Sequence, residues 1–557
     1  MFWKRKKEKS QDKQKGKKYK PVVLLVLDGF GVNPEVVDSP WCLAKRPNFN
    51  EMEKFWPFLV LQASGISVGL PWQEPGNSEV GHLTMGAGRV VYTALPRISN
   101  AIEDGSFFAN PVLLQAMEKV KRPDSSLHLI GLFSSGTVHG YFEHFFAVLE
   151  LAKKHGLDKV FLHLFTDGKD SPKQEAGGFL EKQTERLQNA YPAAKIVSLV
   201  GRRFAMDRES RWDLTETAYR LLVEGRGTQF KDPVAYLKEQ YLKGREDESL
   251  EPGFLAGGDG NPEGRIKDGD TVIFMNFRED SARQLTKVFV DKDFQEFGRK
   301  EPVDLLFITI TDYDKKLKTL VAFPQPEVNF TLGELIAEQG FSQLRIAETV
   351  KYAHVTYFFN GGREAPFSGE ERILIPSFPP KARFAARRAD QPPAEKILGP
   401  EEAPEMQADK VCQAVISHLA KYDFILANFA NVDIVGHTGD FEASIKAFEV
   451  LDKLVGEIKK AVLAQKGILI ITGDHGNAEE KRYPLTGEAR TEHTANPAPF
   501  HLIADDWRFS KPTPDDKIRK NYLEIKGTLT DIAPTILELL GLEKPKEMTG
   551  KSLLKIL

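Results

Sequence analysis

Six apolar residues in a row, Val22-Val23-Leu24-Leu25-Val26-Leu27, break off at Asp28-Gly29-Phe30-Gly31. An unbroken run of this length predicts a strand covered on both faces, as in a parallel sheet. Similar runs recur at residues 127–133, 160–165, 196–200, 272–277 and 305–310, then at 345–347, 356–359, 424–429, 467–471 and 500–504. Between several of them the apolar period becomes helical, as over 141–155 and 214–224. Strands alternating with helices predict an α/β fold with parallel-type sheets. The rhythm shifts twice at prolines, around Pro96 and again at Phe323-Pro324-Gln325-Pro326, and the stretch between reads as a second α/β unit. A Pro- and Ala-rich stretch between Ile375 and Met406 predicts a long surface loop. No internal repeat appears at solenoid spacing.

Composition narrows the class without naming it. A chain of 557 residues, 41% hydrophobic and 28% charged, is ordinary for a globular protein, and its length allows about two to four domains. A net charge of -3 gives no reason to expect nucleic acid as a partner. Cys42 and Cys412 are the only cysteines, so no disulfide framework exists and a cytoplasmic setting is expected. The apolar runs are too short to span a bilayer. Residues 1–20 stand apart, with ten Lys or Arg against Glu8 and Asp12. No small-residue cleavage site follows this arm, which argues against export, and a like-charged block predicts a solvated, disordered tail.

Candidate chemistry gathers at the predicted strand ends. Ser78 lies in Pro75-Gly76-Asn77-Ser78-Glu79-Val80-Gly81-His82, where Gly76 and Gly81 permit positive φ or close approach. A serine hydroxyl needs a base, a lowered pKa or a metal to become a nucleophile, and no Gly-x-Ser-x-Gly elbow surrounds this one. Asp28 closes the first strand, where open α/β sheets bind ligands. Asp433 and His437 are spaced for one helix face; Asp474-His475 and Glu492-His493 follow further on. Aspartates and histidines without cysteine suit Mn²⁺ or Zn²⁺, and with an exposed serine they point to a two-metal phosphoryl-transfer centre. In the second unit, His139, Asp167-Gly168-Lys169-Asp170, Arg202, Arg208 and Arg278 follow successive strands. Arginine recurring there suggests an anion pocket.

Asp28-Gly29-Phe30-Gly31, the Ser78 stretch, Gly201 to Arg208, Glu348 to Thr356, Asp433 to His437, Asp474-His475-Gly476-Asn477 and His493-Thr494 occur in order along the chain. They resemble the motifs of the cofactor-independent phosphoglycerate mutases, of the alkaline phosphatase superfamily. The resemblance implies two α/β domains, an alkaline-phosphatase-like domain (21–93 and 327–557) with an inserted phosphotransferase domain (94–326), after a basic arm (1–20). It implies two Mn²⁺, with Zn²⁺, Co²⁺ or Mg²⁺ as other candidates, and no bisphosphoglycerate; the chain is expected to be a monomer. Asp28, Ser78, Asp474 and His475 would hold one ion, and Asp433, His437 and His493 the other. Ser78 would carry the phosphoryl group between 3- and 2-phosphoglycerate, with Lys351 stabilising its charge. His139, Lys169, Asp170, Arg202, Arg208 and Arg278 would hold the glycerate, with Asp170 accepting a proton. Lys169 stands where the family usually has Arg, Ser281 where it usually has a second Arg, and Val350 where it has an acid. Arg283 is the candidate substitute for the missing guanidinium, although a helix opening at Asp280 would turn it roughly 200° from position 281 at about 3.6 residues per turn. The competing readings are a metal-dependent phosphatase or phosphopentomutase of the same superfamily, and a silent binding protein tethered by the arm.

Overall fold

The computed structural model describes residues 19–557 apart from 34, 36–37, 378–398 and 484. The arm up to residue 18 and most of the Pro- and Ala-rich loop lie outside the described residues. The chain divides into two compact units, Met1–Tyr92 with Glu327–Leu557, and Thr93–Pro326.

The first unit is built on an eight-stranded sheet. Its order is Glu370–Ile375, Gln343–Glu348, Phe424–Phe429, Val22–Leu27, Ile468–Thr472, Ala498–Ile503, Phe58–Gln62, Ile525–Thr528. All neighbours pair in parallel except Ala498–Ile503, which is antiparallel to both of its own. Val22–Leu27 shows why the apolar run is unbroken. Val23, Leu25 and Leu27 enter one core cluster and Val22, Leu24 and Val26 the other. The helices Pro47–Phe55, Ala408–His418 and Phe441–Ala464 contribute to the first cluster and Ile532–Leu540 to the second. Each such side chain contributes roughly 1.5–3 kcal/mol of burial energy before chain entropy is set against it.

The second unit carries another eight-stranded sheet, ordered Leu320–Val321, Leu306–Thr309, Thr271–Phe274, Leu127–Leu132, Val160–Thr166, Ala194–Gly201, Gly253–Leu255, Thr228–Phe230. The last two strands run against the rest. Apolar clusters again lie on both faces. A polar row is set into one of these faces: His128 Nδ1 lies 2.9 Å from His163 Nε2, and His163 Nδ1 lies 2.8 Å from Ser198 Oγ. Asp270 Oδ2 closes the row 3.1 Å from His128 Nε2.

The structure corrects two expectations. Residues 356–359 are not a strand; they end the π-helical turn His354–Phe358 and Phe359 that follows it. Their aromatic and β-branched residues mimic a strand, but here Val355 and Phe359 pack into the core beneath the Ser78 helix. Asp280 does not open a helix either, since the helix runs Arg283–Val290 with Ala282 at its cap. Among the described residues no helix is long and apolar enough to cross a membrane.

Candidate active site

In the first unit, Val22–Leu27 lies between Phe424–Phe429 and Ile468–Thr472, all three parallel. Their carboxyl ends therefore emerge side by side, and each continues into an acid. Asp28 follows the first, Asp433 sits in the helix Asn431–Gly436 after the second, and Asp474-His475 follow the third. Ser78 is the first residue of the helix Ser78–Ala87, capped by Asn77, whose Oδ1 accepts the Val80 N–H at 2.9 Å. A Cβ on Gly76 would stand 2.2 Å from the Ala63 carbonyl oxygen, and one on Gly81 2.7 Å from that of Asp474. Neither glycine has positive φ; both are required by close approach alone.

Lys351 ends the turn Thr349–Lys351 after the strand Gln343–Glu348. Its Nζ donates to Asp28 Oδ1 at 2.6 Å, Ser78 Oγ at 2.6 Å and Asp433 Oδ2 at 2.7 Å. Ser78 Oγ in turn donates to Asp28 Oδ1 at 2.9 Å and lies 3.0 Å from His475 Nε2. Burial opposes ionisation of Asp28, but Lys351 and then His475 hold its carboxyl far below the usual range. Asp433 is likewise held down, by Lys351 first, against its own burial. Burial works against charge on Lys351 too, yet Asp28, Asp433 and Asp474 keep its ammonium well above its ordinary value. The same acids raise His475 to about 9, although burial pulls the other way.

Three histidines share one arrangement. His437 Nδ1 lies 2.8 Å from the Thr491 carbonyl, His493 Nδ1 2.8 Å from that of Gly76, and His475 Nδ1 3.2 Å from that of Gly476. A carbonyl oxygen only accepts, so each Nδ1 carries a hydrogen, and in the neutral imidazole each Nε2 keeps the lone pair that a metal needs. The Nε2 atoms of His437 and His493 stand 3.0 Å apart, at 3.3 and 3.2 Å from Asp433 Oδ1. In the neutral rings these lone pairs converge with the carboxylate on one point, as ligands to a cation do. Asp474 Oδ2 is buried without a hydrogen-bond partner, while its Oδ1 accepts the Gly29 N–H at 3.1 Å. Carboxylates, imidazoles and an orphaned oxygen, with no thiolate, fit a hard-to-borderline divalent ion. Ligand atoms of Asp433, His475 and His493 lie within 4.8 Å of one another, as do those of Asp28, His82 and Asp474.

His82 and Asn428 were not singled out from the sequence as site residues. His82 Nδ1 is 2.8 Å from the Ser78 carbonyl and 3.2 Å from Asp474 Oδ2, so its hydrogen serves the Ser78 backbone. Its Nε2 faces Asn428 Nδ2 at 3.1 Å, and the same amide donates to Asp28 Oδ2 at 2.7 Å. Both nitrogens of His82 are thereby engaged, which makes it a strut beneath Ser78. Its place one helical turn after Ser78 was the available signal; nothing local marked Asn428.

In the second unit, His139, Lys169, Asp170, Arg202, Arg208 and Arg278 line one cavity of about 550 Å³. Arg202 Nη1 donates to Asp167 Oδ1 at 2.6 Å and Asp170 Oδ2 at 2.5 Å. His139 Nε2 stands 3.8 Å from Asp170 Oδ2, and burial, with Arg202 adding to it, lowers the imidazole to about 4. Asp280 is a centre the sequence did not single out. Its Oδ2 is 2.5 Å from Arg208 Nη1 and 3.2 Å from Arg278 Nη2, and its Oδ1 is 3.6 Å from His139 Nδ1. Burial alone would raise its pKa, but Arg278, His139, Ser281 and Arg208 bring it below the ordinary value. Ser281 is buried in the cavity wall. Arg283 is exposed, donates through Nε to the Tyr313 carbonyl at 2.9 Å, and does not line this cavity.

Comparison with known proteins brings both clusters into one context. Residues 98–315 match the family model described as the BPG-independent PGAM N-terminus. The chain is 45% identical over 536 residues to the 2,3-bisphosphoglycerate-independent phosphoglycerate mutase of Moorella thermoacetica, covering 96% of this chain and 98% of that one. Enzyme 1 of the same name from Methanosarcina acetivorans is also 45% identical, over 539 residues, with 96% and 98% covered. Among solved structures, a phosphoglycerate mutase of Leishmania mexicana, crystallised at low cobalt concentration, aligns with a TM-score of 0.59 and 28% identity over 96% of this chain and 97% of that one.

Proposed function

The chain belongs to the family of 2,3-bisphosphoglycerate-independent phosphoglycerate mutases, and from that premise we propose that Ser78 is the residue through which it interconverts 3- and 2-phosphoglycerate. The observation that carries this reading is the surroundings of Ser78 Oγ, which donates to Asp28 and receives a hydrogen bond from Lys351.

In the proposed cycle Ser78 Oγ gives up its proton and bonds to phosphorus, and the bond from phosphorus to the 3-oxygen of the glycerate breaks. The departing oxygen takes up a proton equivalent to the one the serine released. In the return step the 2-hydroxyl yields its proton to Asp170 and takes the phosphoryl group from phosphoserine, and a proton equivalent to the one Asp170 gained restores the serine. A covalent intermediate divides one difficult transfer into two easier ones. Lys351 lies beside the nucleophile and would meet the charge on the phosphoryl oxygens as they spread in a loose transition state. His139, Lys169, Arg202, Arg208 and Arg278 would hold the carboxylate and phosphate of the substrate.

Enzymes of this family depend on a divalent metal. We assign two ions here, Mn²⁺ foremost, to Asp28, Asp474 and His475 with Ser78, and to Asp433, His437 and His493. Bound metal lowers the pKa of the serine and neutralises phosphoryl oxygens. A cytoplasmic monomer completes the proposal, in keeping with two unpaired cysteines.

The test supplies 3-phosphoglycerate and Mn²⁺ without bisphosphoglycerate, and follows 2-phosphoglycerate, free phosphate and the intact mass of the protein. The parent should form 2-phosphoglycerate and carry one phosphoryl group in acid-quenched turnover. Ser78→Ala should lose both while melting normally. Full isomerase activity in Ser78→Ala would remove the serine from the mechanism, and free phosphate as the main product would make the enzyme a phosphatase.

A further inference from the structure

Six cationic side chains line the second unit's cavity: Lys169, Arg202, Arg203, Arg208, Arg211 and Arg278. Four of them are already committed to carboxylates. Arg202 is held by Asp167 and Asp170, and Arg208 and Arg278 share Asp280. Arg211 Nη2 stands 2.6 Å from Asp207 Oδ2 and its Nε donates to the same oxygen at 2.7 Å. The Arg203 guanidinium and the Lys169 ammonium have no ion pair and no hydrogen bond among the described residues.

That difference matters for an incoming anion. A guanidinium that already holds a carboxylate exchanges one charged partner for another, so part of the new bond is offset by the old one. A free guanidinium adds the whole of a charge-assisted, two-pronged interaction. Arg203 is also well anchored for this task. It follows Arg202 in the short helix Arg202–Ala205, which begins directly at the end of the strand Ala194–Gly201. The Met206 N–H closes that turn on the Arg202 carbonyl at 2.8 Å. The backbone of Arg203 is therefore fixed while its side chain remains exposed at the cavity.

We propose that Arg203 is a substrate ligand, gripping an anionic group of phosphoglycerate with its guanidinium. The inference rests on the reading of this cavity as the phosphoglycerate site. Arg203 supplies a positive charge on a wall where Ser281 offers only a hydroxyl, and it does so from inside the cavity, unlike Arg283. It thereby sets how tightly this chain holds its substrate, without taking part in bond making.

The experiment uses the full-length, metal-loaded enzyme and compares Arg203→Ala, Arg203→Lys and Arg278→Ala. Arg226→Ala, an exposed arginine paired with Glu224 and outside the cavity, is the control. Loss of one charge-assisted bond predicts a KM for 3-phosphoglycerate raised roughly ten- to a hundredfold in Arg203→Ala. The kcat should change little, because the contact is made equally before and during transfer. Arg203→Lys should recover part of the loss, and calorimetric titration of 3-phosphoglycerate into metal-free protein should weaken by the same factor. A raised KM in Arg278→Ala with an unchanged KM in Arg203→Ala would overturn the assignment of Arg203 and leave the cavity reading intact. An unchanged KM in both would overturn the cavity reading, and the assignment with it. A fall in kcat without a change in KM in Arg203→Ala would also overturn the ligand role.

Discussion

Replacing Lys351 by methionine removes a buried cation while keeping most of its volume. The ammonium is within 2.7 Å of Asp28 and Asp433, and its side chain is only 6% exposed. Two estimates of the cost agree. Breaking a buried ion pair from one side typically costs about 3–5 kcal/mol. Alternatively, one aspartate takes up a proton, and moving its pKa from near 4 to neutrality costs about 4 kcal/mol at 1.36 kcal/mol per unit. Metal-free Lys351→Met should therefore unfold about 4 kcal/mol more easily than the parent, a drop of about 6 °C in the melting of the first unit. A divalent ion returns the missing positive charge, so saturating Mn²⁺ should restore most of that stability. Turnover should stay depressed about 10²- to 10³-fold, because the donor beside the phosphoryl group is gone. The sign of the pH effect is fixed as well. The folded variant holds a carboxylate with a raised pKa and binds more protons than its unfolded form, so the gap to the parent should narrow between pH 7.5 and 5.5. Scanning calorimetry with and without metal at both pH values reads all of this. An equal loss of stability with and without metal, or parental turnover in the loaded variant, would refute the reasoning.

Two other changes probe the frame around the site. Gly81→Ala drives a methyl group to 2.7 Å from the Asp474 carbonyl; it should cost about 1–3 kcal/mol and weaken Mn²⁺ binding by calorimetry, and unaltered metal affinity would show that the helix does not set the position of Asp474. His501 is packed against Phe49 and Phe58 with Nε2 unpartnered, and burial, with Arg46 adding to it, pushes it down to about 3. Its folded pKa lies below its unfolded value near 6.5, so stability is lost as pH falls below that value, by about 1.4 kcal/mol per unit. His501→Leu should consequently gain about 2 kcal/mol more at pH 5 than at pH 8 in urea melts, and an equal effect at both would place the cost elsewhere.

The strands that carry the chemistry were legible because they are covered on both faces, so their apolar runs are continuous. Phe424–Phe429 has no exposed position, and its five apolar residues alternate between the two cores as a central parallel strand requires. Phe58–Gln62, Glu370–Ile375 and Ile525–Thr528 went unread. The latter two are edge strands, and their partly exposed residues follow neither a clean alternation nor an apolar run. At the site, the candidate ligands stood out as Asp and His after strand ends, since that placement is a matter of order along the chain. Two of the Nδ1-to-carbonyl bonds, those of His493 and His437, could not be read, because the carbonyls of Gly76 and Thr491 come from distant loops. Nor could the state of each arginine. Arg202 and Arg203 are adjacent in sequence, and only the positions of Asp167 and Asp170 make one engaged and the other free.

The strand Val22–Leu27 has no neighbour in its sheet from the first 400 residues of the chain; both partners, Phe424–Phe429 and Ile468–Thr472, are made much later. At about 5–20 residues per second, synthesis leaves this segment without a partner for roughly 20–80 s. During that interval Thr93–Pro326, which is continuous in sequence, can complete its own sheet. The waiting hexapeptide is wholly apolar and uncharged, the composition most prone to pair with another copy of itself. Directly before it stand the ten basic residues of positions 1–20. Flanking charge of one sign keeps exposed strands apart, so the composition of residues 1–20 suits a strand that must wait through most of the chain's synthesis.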